Sequence, residues 1–108
     1  MAAEFLVRFV DGDWYRRHRQ CVEARIAQLP SFRRRQGGAF WLKGPEGADD
    51  AKAWPYDVRL FVDAPQHLFL EIGARPASVQ ADLIALLAWI RGRTAIVCED
   101  EDGEPVGW

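Results

Sequence analysis

Between Tyr56 and Ile72 the chain alternates apolar and polar residues twice in succession, and no other stretch constrains its fold as tightly. Tyr56, Val58, Leu60 and Val62 alternate with Asp57, Arg59 and Phe61. After the break Ala64-Pro65-Gln66, Leu68, Leu70 and Ile72 alternate with His67, Phe69 and Glu71. A period of two is that of an extended strand with one face buried, because successive side chains point to opposite sides. Two such runs joined by a short proline-containing turn predict an antiparallel hairpin.

The rest of the chain is read around that hairpin. Residues 4–10 predict a strand, broken by Asp11-Gly12-Asp13, where an aspartate can cap the helix that follows. Over residues 13–29, Trp14, His18, Val22, Ile26 and Leu29 recur every three or four positions, the spacing of one buried helix stripe, and Pro30 ends it. Ser31 to Gly38 reads as a basic connection containing Arg33, Arg34 and Arg35. Residues 39–43 predict a strand with Phe40 and Leu42 opposite Trp41 and Lys43. A loop over residues 44–55 contains Asp49 and Asp50, with Trp54 near its end. Residues 76–91 predict a second helix burying Val79, Leu83, Leu86, Leu87 and Ile90, with Gly92 as a left-handed cap. A last strand over residues 94–98 leads into the acidic turn EDEDG at 99–103.

The resulting order is β-α-β-β-β-α-β. It predicts one α+β domain over residues 1–108, built on a mostly antiparallel sheet of about five strands with both helices packed on one face. The opposite face is then open to water. It would carry Arg8, Trp41, Lys43, Asp57, Arg59, Phe61, His67, Phe69 and Glu71, a mixture of rings and charges. The bland reading of that face is cross-strand packing and ion pairs. The functional reading is a binding surface, since Trp, Tyr and Arg dominate interface hot spots.

Charge is distributed unevenly along the chain. Residues 1–45 hold nine Lys/Arg against four Asp/Glu, whereas residues 46–108 hold five against twelve, for a net charge of −2. That predicts a bipolar surface able to steer a charged partner. It is not the general basicity of a nucleic-acid binder. The segment MAAEFLVRFV is interrupted by Glu4 and Arg8 and does not read as a signal peptide. No apolar run approaches the roughly 20 residues that span a bilayer, so no membrane partner is expected. Cys21 and Cys98 read as buried, reduced thiols in a cytosolic protein.

Chemistry-bearing constellations are sparse. His18 and Cys21 share a helix face but lack further ligands, and no C-x-x-C, H-E-x-x-H or phosphate-cradling loop is present. The expectation is therefore no catalytic residue, no metal and no cofactor. Cys98 and His67 would form a nucleophile–base pair only if their side chains met. Asp57, Arg59, His67 and Glu71 would serve a small enzyme or ligand-binding domain only if they converged in a pocket. Arg16, Arg17, Arg19 and Arg33 to Arg35 would grip phosphates in a nucleic-acid-binding module, with Trp41, Phe61 and Phe69 stacking bases. EDEDG lacks the spacing of a calcium loop.

Five segments carry a resemblance: GAFWLKG at 38–44, YDVRLF at 56–61, LEIGARP at 70–76, DLIALLAW at 82–89 and EDEDGEPVGW at 99–108. Together they resemble small bacterial immunity proteins of contact-dependent growth inhibition and other polymorphic toxin systems. The resemblance covers about two-thirds of the chain, from residue 38 onward, and is one of layout. It implies a cytoplasmic protein without enzymatic activity that binds and neutralises the C-terminal domain of a cognate toxin, often a nuclease. An acidic surface suits that task, because nuclease clefts are basic and complementary charge speeds association. No fixed binding motif carries over from such proteins. The expected contact set comes from the residues themselves: Trp41, Asp49, Asp50, Trp54, Asp57, Arg59, Phe69, Glu71, Glu99, Asp100 and Asp102.

Overall fold

A computed structural model describes residues 3–45 and 55–107. In chain order the elements are β1 (Ala3–Phe9), α1 (Gly12–Ala27), β2 (Phe32–Gln36), β3 (Ala39–Leu42), β4 (Val58–Phe61), β5 (His67–Ile72), α2 (Ala77–Arg91) and β6 (Ile96–Asp100). The strands form one antiparallel sheet in the order β2-β3-β4-β5-β1-β6. The α+β class therefore holds, but the described residues contain six strands rather than about five.

The additional strand is β2, in the segment expected to be a basic connection. Three consecutive arginines hide any alternation, and an edge strand needs only one neighbour. A bulge between Phe32 and Arg34 shifts the register, so that Arg34 opposes Trp41 and Arg35 opposes Phe40. The turn into β3 depends on its two glycines. Gly37 has φ +60°, a conformation that side chains disfavour, and a Cβ on Gly38 would lie 2.9 Å from Asp63 Cγ. Arginines and a bulge also protect an exposed edge against unwanted strand pairing.

The core lies between one sheet face and the two helices. Val7, Phe9, Phe40, Leu42, Val58, Leu60, Leu68, Leu70 and Ile72 meet Tyr15, Val22 and Ile26 of α1 and all five expected residues of α2. The α1 stripe differs from expectation. Tyr15 is the buried aromatic, and its hydroxyl donates to the Val62 carbonyl at 2.6 Å. Burial, partly offset by Arg19, pushes its pKa up to about 12. Trp14 and His18 are only half-buried and stack on each other at 4.6 Å. The Asp11 carboxylate caps α1, accepting from the Asp13 and Trp14 N–H groups at 3.1 and 3.2 Å.

Other local expectations are corrected. Gly92 has φ −68° and is no left-handed cap, because the chain leaves α2 through a right-handed turn closed on Ala88 and Ile90. Cys21 is exposed on α1, whereas Cys98 is buried. Glu99 and Asp100 belong to β6, so the acidic turn starts at Glu101. Beyond it the chain returns along β6, with hydrogen bonds from Asp100 N–H to Glu104 O and from Val106 N–H to Cys98 O. This return segment covers the β6 edge and leaves the arginine-rich β2 at the other edge of the sheet.

Candidate protein-binding face

Neither helix covers the second face of the sheet. Strand register arranges its side chains in rows. Arg34, Trp41, Arg59, Glu71 and Glu4 form one row from β2 to β1. Ala39, Phe61, Phe69, Leu6 and Glu99 form the next, from β3 to β6. Arg8 lies between His67 and Val97 beyond it. Trp41, Phe61, Phe69 and Leu6 are half-buried, and the residues on either side of the three rings are buried.

At the centre, Arg59 Nη2 donates to Glu71 Oε1 at 2.7 Å, and Tyr56 Oη donates to the same oxygen at 3.1 Å. The Arg59 guanidinium lies 4.6 Å from the Tyr56 ring centre and 5.5 Å from that of Phe61. Phe61 meets Phe69 at 5.7 Å, and Trp41 meets Tyr56 edge-on at 5.1 Å. Burial, followed by the hydrogen bond to Glu71, raises the Tyr56 pKa. Tyr56 is buried, as alternation predicts, but it lies outside the hydrophobic core cluster and packs on this face against Arg59, Glu71 and Trp41. Strand β4 begins only at Val58, so the alternation in burial that runs back to Tyr56 no longer fixes which face its ring takes. A turn signal at Pro55 was the one available warning.

At the β1–β6 end, Arg8 holds Glu99 through Nε at 3.2 Å and Nη2 at 2.8 Å. Beside this pair is an open groove of about 430 Å³, lined by Phe5, Leu6, Phe69 and Gly103 and by the carboxylate residues Glu4, Asp100, Glu101 and Asp102. Asp100 holds the turn together, because its Oδ1 accepts the Asp102 and Glu104 N–H groups, both at 2.9 Å. Asp102 is exposed. The uneven charge of the sequence therefore maps onto opposite edges of one sheet, arginines along β2 and carboxylates around β6.

Of the expected contact residues, Trp41, Arg59, Phe69, Glu71 and Glu99 share this face. Asp100 and Asp102 border it. Asp57 is a structural joint: its Oδ2 accepts the Gly44 N–H at 2.9 Å, and its carbonyl accepts those of Gly73 and Ala74. Asp49, Asp50 and Trp54 lie outside the described residues.

The competing constellations do not assemble. Arg59 and Glu71 pair, but His67 is four residues from Glu71 along β5, about 13 Å at the rise of a strand. His67 points to the outer face, whereas Cys98 is buried in the core. Burial pushes the Cys98 thiol up despite Arg91 Nη2 at 3.6 Å from its sulfur. His18 Nδ1 is bonded to the Trp14 carbonyl at 2.8 Å. Among the described residues, no group of three or more His, Cys, Asp or Glu is placed to hold a metal. The arginines proposed for phosphates are divided: Arg16 pairs with Asp13, and Arg19 and Arg35 pair with Glu23. Among the described residues, no helix is long and apolar enough to cross a membrane.

No protein-family model, curated protein or solved structure matches the chain.

Proposed function

We propose that this chain is a protein-binding domain that neutralises a cognate toxin domain in the cytoplasm, docking it on the outer sheet face. The observation that carries the reading is the group of half-buried rings, Trp41 in one row and Phe61 and Phe69 in the next, interleaved with ion pairs on a face that neither α1 nor α2 covers. Large rings edged by charge are the composition of interface hot spots. The groove walled by carboxylates suits a basic partner such as a nuclease, and attraction across it would accelerate encounter. The resemblance to immunity proteins supplies the toxin.

The test is co-expression with the product of the gene immediately upstream, with growth as the readout, followed by binding kinetics on the purified pair. Growth rescue and a stoichiometric complex are expected. Glu101→Lys with Asp102→Lys should slow association about tenfold at low salt, and the difference should shrink at high salt. Asp100 is left intact because it holds the turn. Absence of both rescue and complex would refute the toxin reading. An unchanged association rate would refute the role of the acidic groove.

A further inference from the structure

The acidic groove occupies only one end of the outer face. The other end has the opposite character. Arg34 lies with its guanidinium 4.8 Å from the Trp41 ring centre, and among the described residues no carboxylate pairs with it. In the same row, on the far side of Trp41, Arg59 uses Nη2 on Glu71, while its buried Nε has no hydrogen-bond partner. One guanidinium thus lies over the half-exposed indole and a second extends from the paired position on β4 over the Tyr56 and Phe61 rings, and their combined charge exceeds that of the single carboxylate bonded to Arg59. A buried donor without an acceptor is uncommon and costly, and more so on a charged group.

We infer that Arg34, Trp41 and Arg59 form a clamp for one side-chain carboxylate, carried beside an aromatic ring on the docked protein. The aromatic part would stack on Trp41, and the carboxylate would take the free donors of Arg34, a geometry suited to planar, two-point recognition. The occupant carries one charge rather than a phosphate chain, because the row continues directly into Glu71 and Glu4, which repel a polyanion. The proposal rests on the outer face being the docking surface and adds orientation to it. Five strand spacings separate β2 from β6, about 24 Å. A partner presenting an acid at one end and a base at the other fits in one direction only. Reversal sets like charges against each other at both ends.

The clamp can be tested without the partner. The probe is N-acetyl-tryptophan, which carries an indole and a carboxylate, with its amide as the uncharged control. Titration into the isotope-labelled protein is followed by NMR at the Trp41 indole N–H and the Arg34 and Arg59 Nε–H resonances. Saturable shifts of these groups in the millimolar range are expected, at least about fivefold weaker for the amide. Arg34→Gln, at an exposed edge position, should weaken the carboxylate by a similar factor, whereas Glu101→Lys with Asp102→Lys should not weaken it. No shift up to about 20 mM, or equal binding of the amide, would overturn the clamp. So would tighter binding of the phosphodiester thymidylyl-thymidine, which would instead point to nucleic acid. A saturating probe with no captured toxin would count against the toxin alone. A captured toxin with an unresponsive clamp would count against the clamp alone.

Discussion

The two faces of the sheet are built from the same strands, residue by residue in alternation, yet they differ in almost every physical respect. On the helix side, Val58, Leu60, Leu68 and Leu70 are at most 1% exposed and share one core cluster with buried side chains of α1 and α2. On the other side, Arg59, Phe61, Phe69 and Glu71 are half-exposed, and the rings are framed by ion pairs. Burial on one side supplies the cohesion of the fold, since each apolar side chain removed from water contributes about 1.5–3 kcal/mol. The other side retains apolar area that folding leaves partly wet. The contrast separates residues needed for folding from residues available for recognition.

The strongest way to break that comparison is to cut adjacent residues of β4. Leu60→Ala should cost about 2–5 kcal/mol, read as a lower urea midpoint at unchanged slope. Phe61→Ala, one residue away on the outer face, should cost roughly 1–2 kcal/mol, because part of its ring already meets water. Equal losses would make the outer face a second core and remove the physical basis for calling it a binding surface.

Tyr15 sharpens the description of the covered face. Its hydroxyl is neutral and bonded in the fold, with the pKa pushed up to about 12 from about 10. Between these values the unfolded chain releases the proton and the folded chain keeps it. The stabilisation is therefore complete below pH 10 and is lost as pH rises towards 12, by roughly 2–3 kcal/mol. Tyr15→Phe should lower stability at neutral pH by about 1–2 kcal/mol, since it strips the Val62 carbonyl of its donor. It should also flatten the decline between pH 10 and 12. An unchanged decline in the variant would show that Tyr15 is not the titrating group.

Much of this contrast was legible in the residues. The alternation over Val58–Ile72 and the α2 stripe separated the two faces correctly, because a period of two and a period of 3.6 leave few alternatives once one side must be buried. What alternation could not show were strands without it and residues just beyond strand ends. β2 carries Arg33, Arg34 and Arg35 in succession, and only pairing with β3 makes it a strand. Tyr56 precedes β4 and turns to the outer face, while Tyr15 displaces Trp14 and His18 from the helix stripe because its hydroxyl finds the Val62 carbonyl. Asp57 and Asp100 read as free carboxylates, but backbone N–H groups from distant or turning segments engage both.

The smallest expected effect concerns the outer face alone and asks whether Arg59–Glu71 and Arg8–Glu99, two ion pairs seen there among the described residues, are equivalent. Arg59–Glu71 lies among Tyr56, Phe61 and Trp41, with side chains 30% and 20% exposed, whereas in Arg8–Glu99 the arginine is 50% exposed. Water screens the second pair more, and long exposed side chains lose entropy when held together. Double-mutant cycles, with each partner replaced by alanine alone and together, should give a stability coupling of about 1 kcal/mol for Arg59–Glu71 and under about 0.5 kcal/mol for Arg8–Glu99. Added salt should reduce the Arg8–Glu99 coupling more, because the rings around Arg59 keep counter-ions away. Equal couplings with equal salt dependence would mean that the rings do not shield Arg59. The Arg59–Glu71 pair would then be ordinary surface charge, and the free donors beside it would already be satisfied by water.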